Sequence, residues 1–377
     1  MREVYLDNSS TTKVCDRAVQ KMMDMMTKNY GNPSSLHTKG FEAEKSINNV
    51  KKILADFIGC KNSEIYFTSG GTESNNIAIL GTVNSKKRNG NKIVTTAVEH
   101  ASVLETMRFL EKQGFEVEYI KPNVEGKILL EQFENAIDDN TILVSCMMVN
   151  NETGNIYPVE KLKDIIEFKK SRALLHIDAV QAFCKIPIKV NKIKADLISF
   201  SAHKIHGPKG IGGLFISDNV RVSPLFFGGG QEKGMRPGTQ STPLIAGFGE
   251  AILDYCDSTG VYDKILELNS YLRERLLGIK YIFINSSDRC LPYILNFSIS
   301  GIKSETMLHF LSSKGIYVSS GSACSKGKKS YVLNAMEVPI NRIDSAIRVS
   351  FSRHNTKDDI DYLVSAIKEG MNKIAKI

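Results

Sequence analysis

The chain has 377 residues, 42% of them hydrophobic and 24% charged, and a formal net charge of +8 at pH 7. This length exceeds one ordinary hydrophobic core, and the composition is typical of a globular protein, which excludes the fibrous and disordered classes. No apolar run approaches a bilayer span and residues 1–5 do not resemble a signal peptide, so we expect a cytoplasmic protein with no membrane contact.

The spacing of the cysteines and the distribution of the basic residues argue against several further kinds of site. The 7 cysteines are scattered without CxxC spacing, which argues against a disulfide framework and a structural zinc site, and we predict no bound metal. The 49 lysines and arginines are dispersed along the chain. Dispersed charge favours an ordinary solvated surface, so direct nucleic-acid binding is not expected.

The first elements in chain order are a short strand at residues 4–6 and two helices. The spacing of Val14, Ala18 and Met22 predicts the first helix, and residues 41–58 predict the second. From residue 65 onward, short apolar or β-branched runs end in polar clusters, and helical stretches follow. Such alternation predicts an α/β fold with a mostly parallel sheet flanked by helices.

The polar clusters stand at the predicted carboxyl ends of the strands. Ligands of such sheets bind at that edge, so we expect the clusters to meet there. The clusters occupy residues 68–76, 99–100, 150–154, 178–181 and 201–204.

The pattern of the sequence changes near residue 249, where helices and strands no longer alternate regularly. The spacing of apolar residues there predicts helices at residues 251–255 and 304–313, among others. We predict a large cofactor-binding domain at residues 15–249. Residues 1–14 and 250–377 are predicted to form a smaller α+β domain, which carries a mobile cysteine loop at about 319–330.

Lys204 is the first candidate catalytic residue, because it lies in the short polar turn that follows the apolar run 197–200. A lysine at the end of a buried strand is partly desolvated, which lowers its pKa and makes its amine nucleophilic. Schiff-base formation needs such an amine, above all with pyridoxal phosphate. A surface lysine in a loop is the alternative.

A phosphate site is indicated around Gly71 and Thr72, which stand between a strand and a helix. Backbone N–H groups and a helix N-terminus bind anions at such a position, and Ser201 and His203 can complete the site. A plain tight turn is the alternative.

Three further side chains suit a planar, positively charged ring. The carboxylate of Asp178 can pair with a protonated pyridine nitrogen, although a helix N-cap is equally compatible with its position. Gln181 can lie on the same side and reach the ring oxygen. His100 can stack on the ring and act as acid or base, or it can be a hydrogen-bonded structural histidine.

Arg348 and Cys324 are both residue types that are unusual in their sequence surroundings. Arg348 places a charge in an apolar strand and needs a partner, either a substrate carboxylate or a protein Asp or Glu. Cys324 lies in a small-residue loop where Lys326 and Lys328 favour the thiolate, the form that attacks sulfur. An incidental exposed cysteine is the alternative.

Taken in order, these motifs resemble one family over nearly the whole chain. They read TSGGTESNN, EH, NNETG, DAVQ, SAHK, RPGT and SSGSAC at residues 68–76, 99–100, 150–154, 178–181, 201–204, 236–239 and 319–324. The chain closely resembles the NifS/IscS-like cysteine desulfurases, which have the type I fold of pyridoxal phosphate enzymes and belong to the class V aminotransferase branch.

The resemblance implies a role for each cofactor-binding residue. Lys204 would bond to the cofactor aldehyde, His100 would stack on the ring, and Asp178 and Gln181 would bind the ring nitrogen and oxygen. The phosphate would be bound by Gly71, Thr72, Ser201 and His203. Thr239 would reach the phosphate of a neighbouring subunit, so the resemblance implies a homodimer.

The resemblance also implies the substrate and the reaction. Arg348, with Asn32 and Asn151, would bind the carboxylate of L-cysteine, which would be converted to L-alanine. Cys324 would accept the sulfur as a persulfide and pass it to an acceptor protein, either an iron–sulfur scaffold or a tRNA thiolation enzyme. The alternatives are a selenocysteine lyase, another class V aminotransferase and, more remotely, a non-catalytic scaffold that binds partners.

Overall fold

The computed structural model describes residues 2–320 and 329–374. Most of these residues belong to helices and strands that surround one large and two small β-sheets. None of the helices in the described ranges is both long and apolar enough to cross a lipid bilayer.

The helices are the elements that cover the sheets. In chain order they are α1 Asp16–Thr27, α2 Thr38–Ile58, α3 Gly71–Lys86, α4 Ala101–Lys112, α5 Leu130–Ala136, α6 Leu162–Phe168, α7 Val190–Ile193, α8 Thr242–Asp257, α9 Val261–Leu277, α10 Ser304–Ser313, α11 Tyr331–Ala335, α12 Ile340–Ile343 and α13 Lys357–Lys373.

The strands are short, as expected for a doubly wound protein. They are β1 Val4–Tyr5, β2 Ile65–Thr68, β3 Lys92–Thr96, β4 Glu116–Ile120, β5 Thr141–Met147, β6 Leu174–Asp178, β7 Leu197–Ser201, β8 Gly212–Ile216, β9 Ile282–Ile284, β10 Ile294–Ile299, β11 Ile316–Tyr317 and β12 Ala346–Ser350.

The large sheet confirms the predicted α/β architecture. Its strand order is β2-β8-β7-β6-β5-β3-β4. The five neighbouring strands from β7 to β4 run parallel, and β8 is antiparallel to both of its neighbours. Because the parallel strands point the same way, the loops that follow them emerge at one edge of the sheet.

Both faces of this sheet are buried. Ile93 and Val94 are adjacent on β3, yet they belong to two different hydrophobic clusters, as do Leu143 and Val144 on β5. Successive residues of a strand point to opposite faces, so this alternation places a cluster on each side of the sheet. The near-continuous apolar runs seen in the sequence are the consequence.

The two small sheets lie in the last third of the chain, with one strand from the N-terminus. β12, β10 and β9 form an antiparallel sheet, while β1 pairs in parallel with β11. The N-terminal segment therefore lies beside C-terminal elements.

Helix α8 is longer than the sequence predicted, because the pattern indicated a helix only from Ala251 to Tyr255. Its first half contains two glycines that allow close helix packing. A Cβ atom on Gly247 would lie 2.8 Å from Cγ of Met22, and one on Gly249 would lie 2.7 Å from Cγ2 of Val50. The predicted domain boundary at residue 249 falls inside this helix, and the division into domains stays a prediction.

Candidate active site

A cavity of about 670 Å³ lies at the carboxyl ends of the parallel strands. It is lined by residues of every polar cluster that the sequence analysis singled out. The candidate residues among them are Gly71, Thr72, His100, Asn151, Asp178, Gln181, Ser201, His203, Lys204 and Arg348.

Lys204 ends a single 3₁₀ turn that follows β7. Its Nζ donates hydrogen bonds to the backbone carbonyl oxygens of Ser9 (2.5 Å) and Ser10 (2.7 Å). The N-terminal segment is itself fastened to this turn, because the Thr12 amide and hydroxyl both donate to the His203 carbonyl oxygen. The lysine amine is thus positioned by backbone atoms almost two hundred residues away along the chain.

Asp178 is buried at the end of β6, and both of its carboxylate oxygens accept hydrogen bonds. Asn75 Nδ2 donates to Oδ2 at 2.8 Å, and the Val180 amide donates to Oδ1 at 2.9 Å. The second contact closes a turn at residues 180–185, so the helix N-cap that the sequence analysis gave as the alternative role is not what the structure contains. The first contact orients the carboxylate within the cavity lining.

His100 is the N-cap of α4. The Ser102 amide donates a hydrogen bond to His100 Nδ1 at 3.1 Å, so Nδ1 is an acceptor and the ring proton lies on Nε2. Burial lowers the pKa of His100, the Asp178 carboxylate opposes this effect, and the Lys204 cation adds to it. The imidazole is therefore neutral at physiological pH.

The predicted phosphate site surrounds the N-terminus of α3, a helix of 16 residues. Gly71 and Thr72 form its first turn, and the N–H groups of a first turn are positive and lack intrahelical partners. A Cβ atom on Gly71 would lie 2.7 Å from Cγ2 of Val180, so a side chain there would disturb the wall of the cavity. Burial, together with the Lys204 charge, lowers the pKa of His203 to about 3, which keeps that ring neutral.

Arg348 is almost completely buried in β12 and has a protein carboxylate partner. Its NH2 group donates to Asp7 Oδ1 at 2.8 Å and to Ser10 Oγ at 2.7 Å, and NH1 donates to the Asn151 carbonyl oxygen at 2.9 Å. Of the two partners considered from sequence, the structure contains the protein one. Binding of a substrate carboxylate stays a prediction.

Asn151 contributes an unsatisfied group to the same part of the cavity. Its Oδ1 atom is buried and has no hydrogen-bond partner within the described ranges. A buried acceptor of this kind carries a desolvation penalty that a bound N–H group would relieve. A substrate ammonium or amide hydrogen is chemically suited to that position.

Two predicted residues lie away from the cavity. Asn32 is exposed, and its Oδ1 accepts a hydrogen bond from the Ser34 amide. Thr239 lies in a separate surface groove beside Phe226, Phe227 and Arg236. The single chain therefore does not bring either residue to the others.

Cys324 lies outside the described residues, but both flanks of its segment are attached beside the cavity. Ser319 and Arg348 exchange backbone hydrogen bonds of 3.2 and 2.6 Å. On the other side, Tyr331 donates its hydroxyl to the Glu99 carbonyl oxygen at 2.6 Å, and Ser330 donates to Glu152 Oε2. Ser319, before this segment, therefore lies beside Arg348. Tyr331, after it, lies beside Glu99, the residue that precedes His100.

Sequence reasoning gave no role to several residues that position the site. Asn75 stands four residues after Gly71 on α3. This spacing places both residues on one helix face, so it could have identified Asn75 as a site residue. Glu99 is fully buried; Oε1 accepts from Thr96 Oγ1 and from the Met147 amide, and burial raises the pKa of this carboxyl to about 8. Ser9 and Ser10 act through backbone carbonyls, for which residue type carries no signal.

No metal centre competes with this interpretation in the described part of the chain. Across residues 2–320 and 329–374, no group of three or more His, Cys, Asp or Glu side chains is arranged to bind a metal ion.

Comparisons with known proteins agree with this geometry. The aminotransferase class-V family model matches residues 4–363. Cysteine desulfurase IscS of Methanosarcina thermophila is 40% identical, with 99% of this chain and 93% of that protein covered. The mitochondrial cysteine desulfurase of Candida albicans is also 40% identical, covering 100% of this chain and 78% of that protein.

Solved structures give the same result. A NifS-like protein superimposes with a TM-score of 0.94 at 37% identity, covering 99% of this chain and 100% of its own. A structure described as SspA in complex with cysteine has a TM-score of 0.83 at 33% identity, covering 94% of this chain and 100% of its own.

The chain belongs to the aminotransferase class-V family, with the type I fold of pyridoxal phosphate enzymes. Within that family it is a member of the cysteine desulfurases, which depend on pyridoxal phosphate.

The residues of the cavity fit that cofactor. The N-terminus of α3 suits the phosphate, the held carboxylate of Asp178 suits a protonated ring nitrogen, and Lys204 supplies an amine for the aldehyde. His100 presents a neutral ring from the loop between β3 and α4.

Proposed function

We propose that the chain removes sulfur from L-cysteine, with Lys204, Asp178 and His100 acting around pyridoxal phosphate and Cys324 accepting the sulfur. The observation that carries the proposal is the convergence of Lys204, Asp178 and His100 with the N-terminus of α3 on one cavity. The family to which the chain belongs supports the same reaction.

Pyridoxal phosphate, when bound, supplies an aldehyde that takes up the substrate amine and a ring that stores the electron pair left when Cα loses its proton. Lys204 would bond to the aldehyde between turnovers and would remove the Cα proton during them. Asp178, oriented by Asn75 and the Val180 amide, would keep the ring nitrogen protonated. His100 would stack on the ring and, with its proton on Nε2, would donate a hydrogen bond to the substrate.

The substrate carboxylate is assigned to Arg348 and Asn151; Asn32, which the single chain leaves outside the cavity, would join them only from a second subunit or after a local rearrangement. Arg348 is pre-oriented by Asp7 and Ser10, which leave its planar guanidinium fixed at the cavity wall. A fixed guanidinium loses little side-chain entropy on binding a carboxylate, which favours correct placement of the substrate.

The sulfur step is a displacement at the substrate sulfur by the Cys324 thiolate. A bond forms between the two sulfur atoms while the substrate Cβ–S bond breaks, and the electron pair of that bond stays on Cβ. Cβ then takes up a proton and becomes the methyl group of L-alanine. Cys324 is left as a persulfide, and no external oxidant or reductant is consumed.

We further propose that the enzyme is a cytoplasmic homodimer in which Thr239 reaches the phosphate of the neighbouring subunit. The side chain of Phe227 is 90% exposed and that of Phe226 47% exposed in the groove that contains Thr239. Exposed aromatic side chains of this size are typical of a surface that a partner covers. The sulfur acceptor is proposed to be a protein, either an iron–sulfur scaffold or a tRNA thiolation enzyme.

The proposal predicts that the holoenzyme, given L-cysteine and a thiol reductant, forms alanine and sulfide in equal amounts. L-Serine, which has a hydroxyl group instead of the thiol, is the control substrate and should give neither product. Alanine and sulfide are measured separately in the same reaction.

Other outcomes of this assay identify the alternatives. Product formation that requires an added 2-oxo acid and releases no sulfide would indicate an aminotransferase. A rate on L-selenocysteine at least ~100-fold above that on L-cysteine would indicate a selenocysteine lyase. A purified protein that binds no pyridoxal phosphate would favour the scaffold and contradict the proposal.

A further inference from the structure

Lys185 is a buried lysine that the proposed reaction does not use. Only 9% of it is exposed, and within the described ranges no carboxylate lies within ion-pair distance of its Nζ. Nζ is 5.6 Å from the centre of the Tyr293 ring, and burial lowers the pKa of the amine to about 7. Burying an amine without a carboxylate is costly, so this position calls for a reason other than packing.

A chain of hydrogen bonds connects Lys185 to the cavity. Its Nζ donates a hydrogen bond to Gln181 Oε1 at 3.2 Å, and Gln181 Nε2 donates to the Ser9 carbonyl oxygen at 3.0 Å. That same carbonyl accepts a hydrogen bond from Lys204 Nζ. Lys185 is thus joined to Lys204 through one amide and one carbonyl group.

The direction of these bonds fixes the amide of Gln181. Oε1 accepts from the Lys185 amine, and Nε2 donates to the Ser9 carbonyl, which can only accept, so turning the amide over would break the contact with Ser9 and leave Oε1 without its donor. The NH₂ group therefore faces the cavity, where one of its two hydrogens meets the Ser9 carbonyl and the other remains for a ligand.

We propose that Lys185 is a positioning residue that holds Gln181 with its NH₂ group toward the cavity, so that Gln181 donates to the ring oxygen of the bound cofactor. The inference rests on the proposed function. Without Lys185, the amide keeps only its contact with the Ser9 carbonyl, and it turns more readily to present its carbonyl oxygen to the ring oxygen, which is repulsive.

The test is a double-mutant cycle on the holoenzyme with Lys185→Met, Gln181→Ala and the double variant. The readouts are the dissociation constant of pyridoxal phosphate and the absorbance maximum of the bound cofactor. Lys185→Met should weaken cofactor binding by roughly fivefold, as expected for one hydrogen bond, and should shift the absorbance maximum. The double variant should match Gln181→Ala, because Lys185 acts only through Gln181. Lys192→Met, at an exposed position, is the matched control.

Two results would overturn the inference: an unchanged Lys185→Met enzyme, or effects of the two substitutions that simply add. If Lys185→Met does not fold, the cycle is run with Lys185→Gln, which is polar but one bond too short to reach Gln181, and the same non-additivity is expected. A wild-type protein that binds no cofactor would instead contradict the proposed function, so the two failures are distinguishable.

Discussion

Replacing Lys204 with alanine is expected to reduce alanine formation from L-cysteine by about 10⁴-fold or more. The variant loses both the amine that bonds to the cofactor aldehyde and the base that removes the Cα proton. The absorbance of the lysine-bonded cofactor should disappear even where cofactor remains bound through the phosphate site. Steady-state kinetics and absorbance spectra of the purified protein measure both effects.

Lys192→Ala is the matched control for this substitution. Lys192 is exposed on α7, the helix that precedes β7, and has no role in the proposed site. Its activity and spectrum should equal those of the wild type. A Lys204→Ala enzyme that retained turnover within about tenfold of the wild type would remove the lysine from the proposed mechanism.

Replacing Cys324 with serine should leave the cofactor absorbance unchanged, unlike Lys204→Ala, and should cause a large loss of sulfur transfer. The cofactor site should remain intact, with the same cofactor content and absorbance as the wild type. Sulfide and alanine formation should fall by roughly 10³-fold, because a hydroxyl group is a far weaker nucleophile toward sulfur than a thiolate. Mass spectrometry should find a persulfide on Cys324 in the wild type during turnover and none at residue 324 in the variant.

The control here is Cys256→Ser, which removes an exposed thiol at the end of α8. That variant should keep both the persulfide on Cys324 and the wild-type rate. Production of sulfide and alanine at the wild-type rate by Cys324→Ser would show that another group accepts the sulfur.

The sheet and the convergence of the site could be predicted because both follow from local patterns. Apolar runs of strand length, each followed by polar residues, specify parallel strands whose loops share one edge. Asp178, His100 and Lys204 each stand in the polar cluster that follows such a run, and the structure brings all three to one cavity. Helix α10, predicted at residues 304–313, occupies those residues in the structure.

The contacts between residues that are far apart in the sequence could not be predicted from local patterns. Asp7 pairs with Arg348 across more than three hundred residues, and many other carboxylates were equally available by sequence. The carbonyl oxygens of Ser9 and Ser10 hold Lys204, yet every residue has such an oxygen. The first half of α8 was missed because its glycines lower helix propensity, while their benefit lies in packing against α1 and α2.

Identification of the residue that bonds the cofactor tests the central claim most directly. The holoenzyme is treated with borohydride, digested, and its peptides are analysed by mass spectrometry. Lys204 and Lys185 are both held close to Gln181 and Ser9, and burial brings the pKa of Lys185 to about 7, so two amines near the site are chemically capable of the bond. We predict that the reduced cofactor is found on Lys204 alone. Its recovery on Lys185, or on no lysine, would contradict the account.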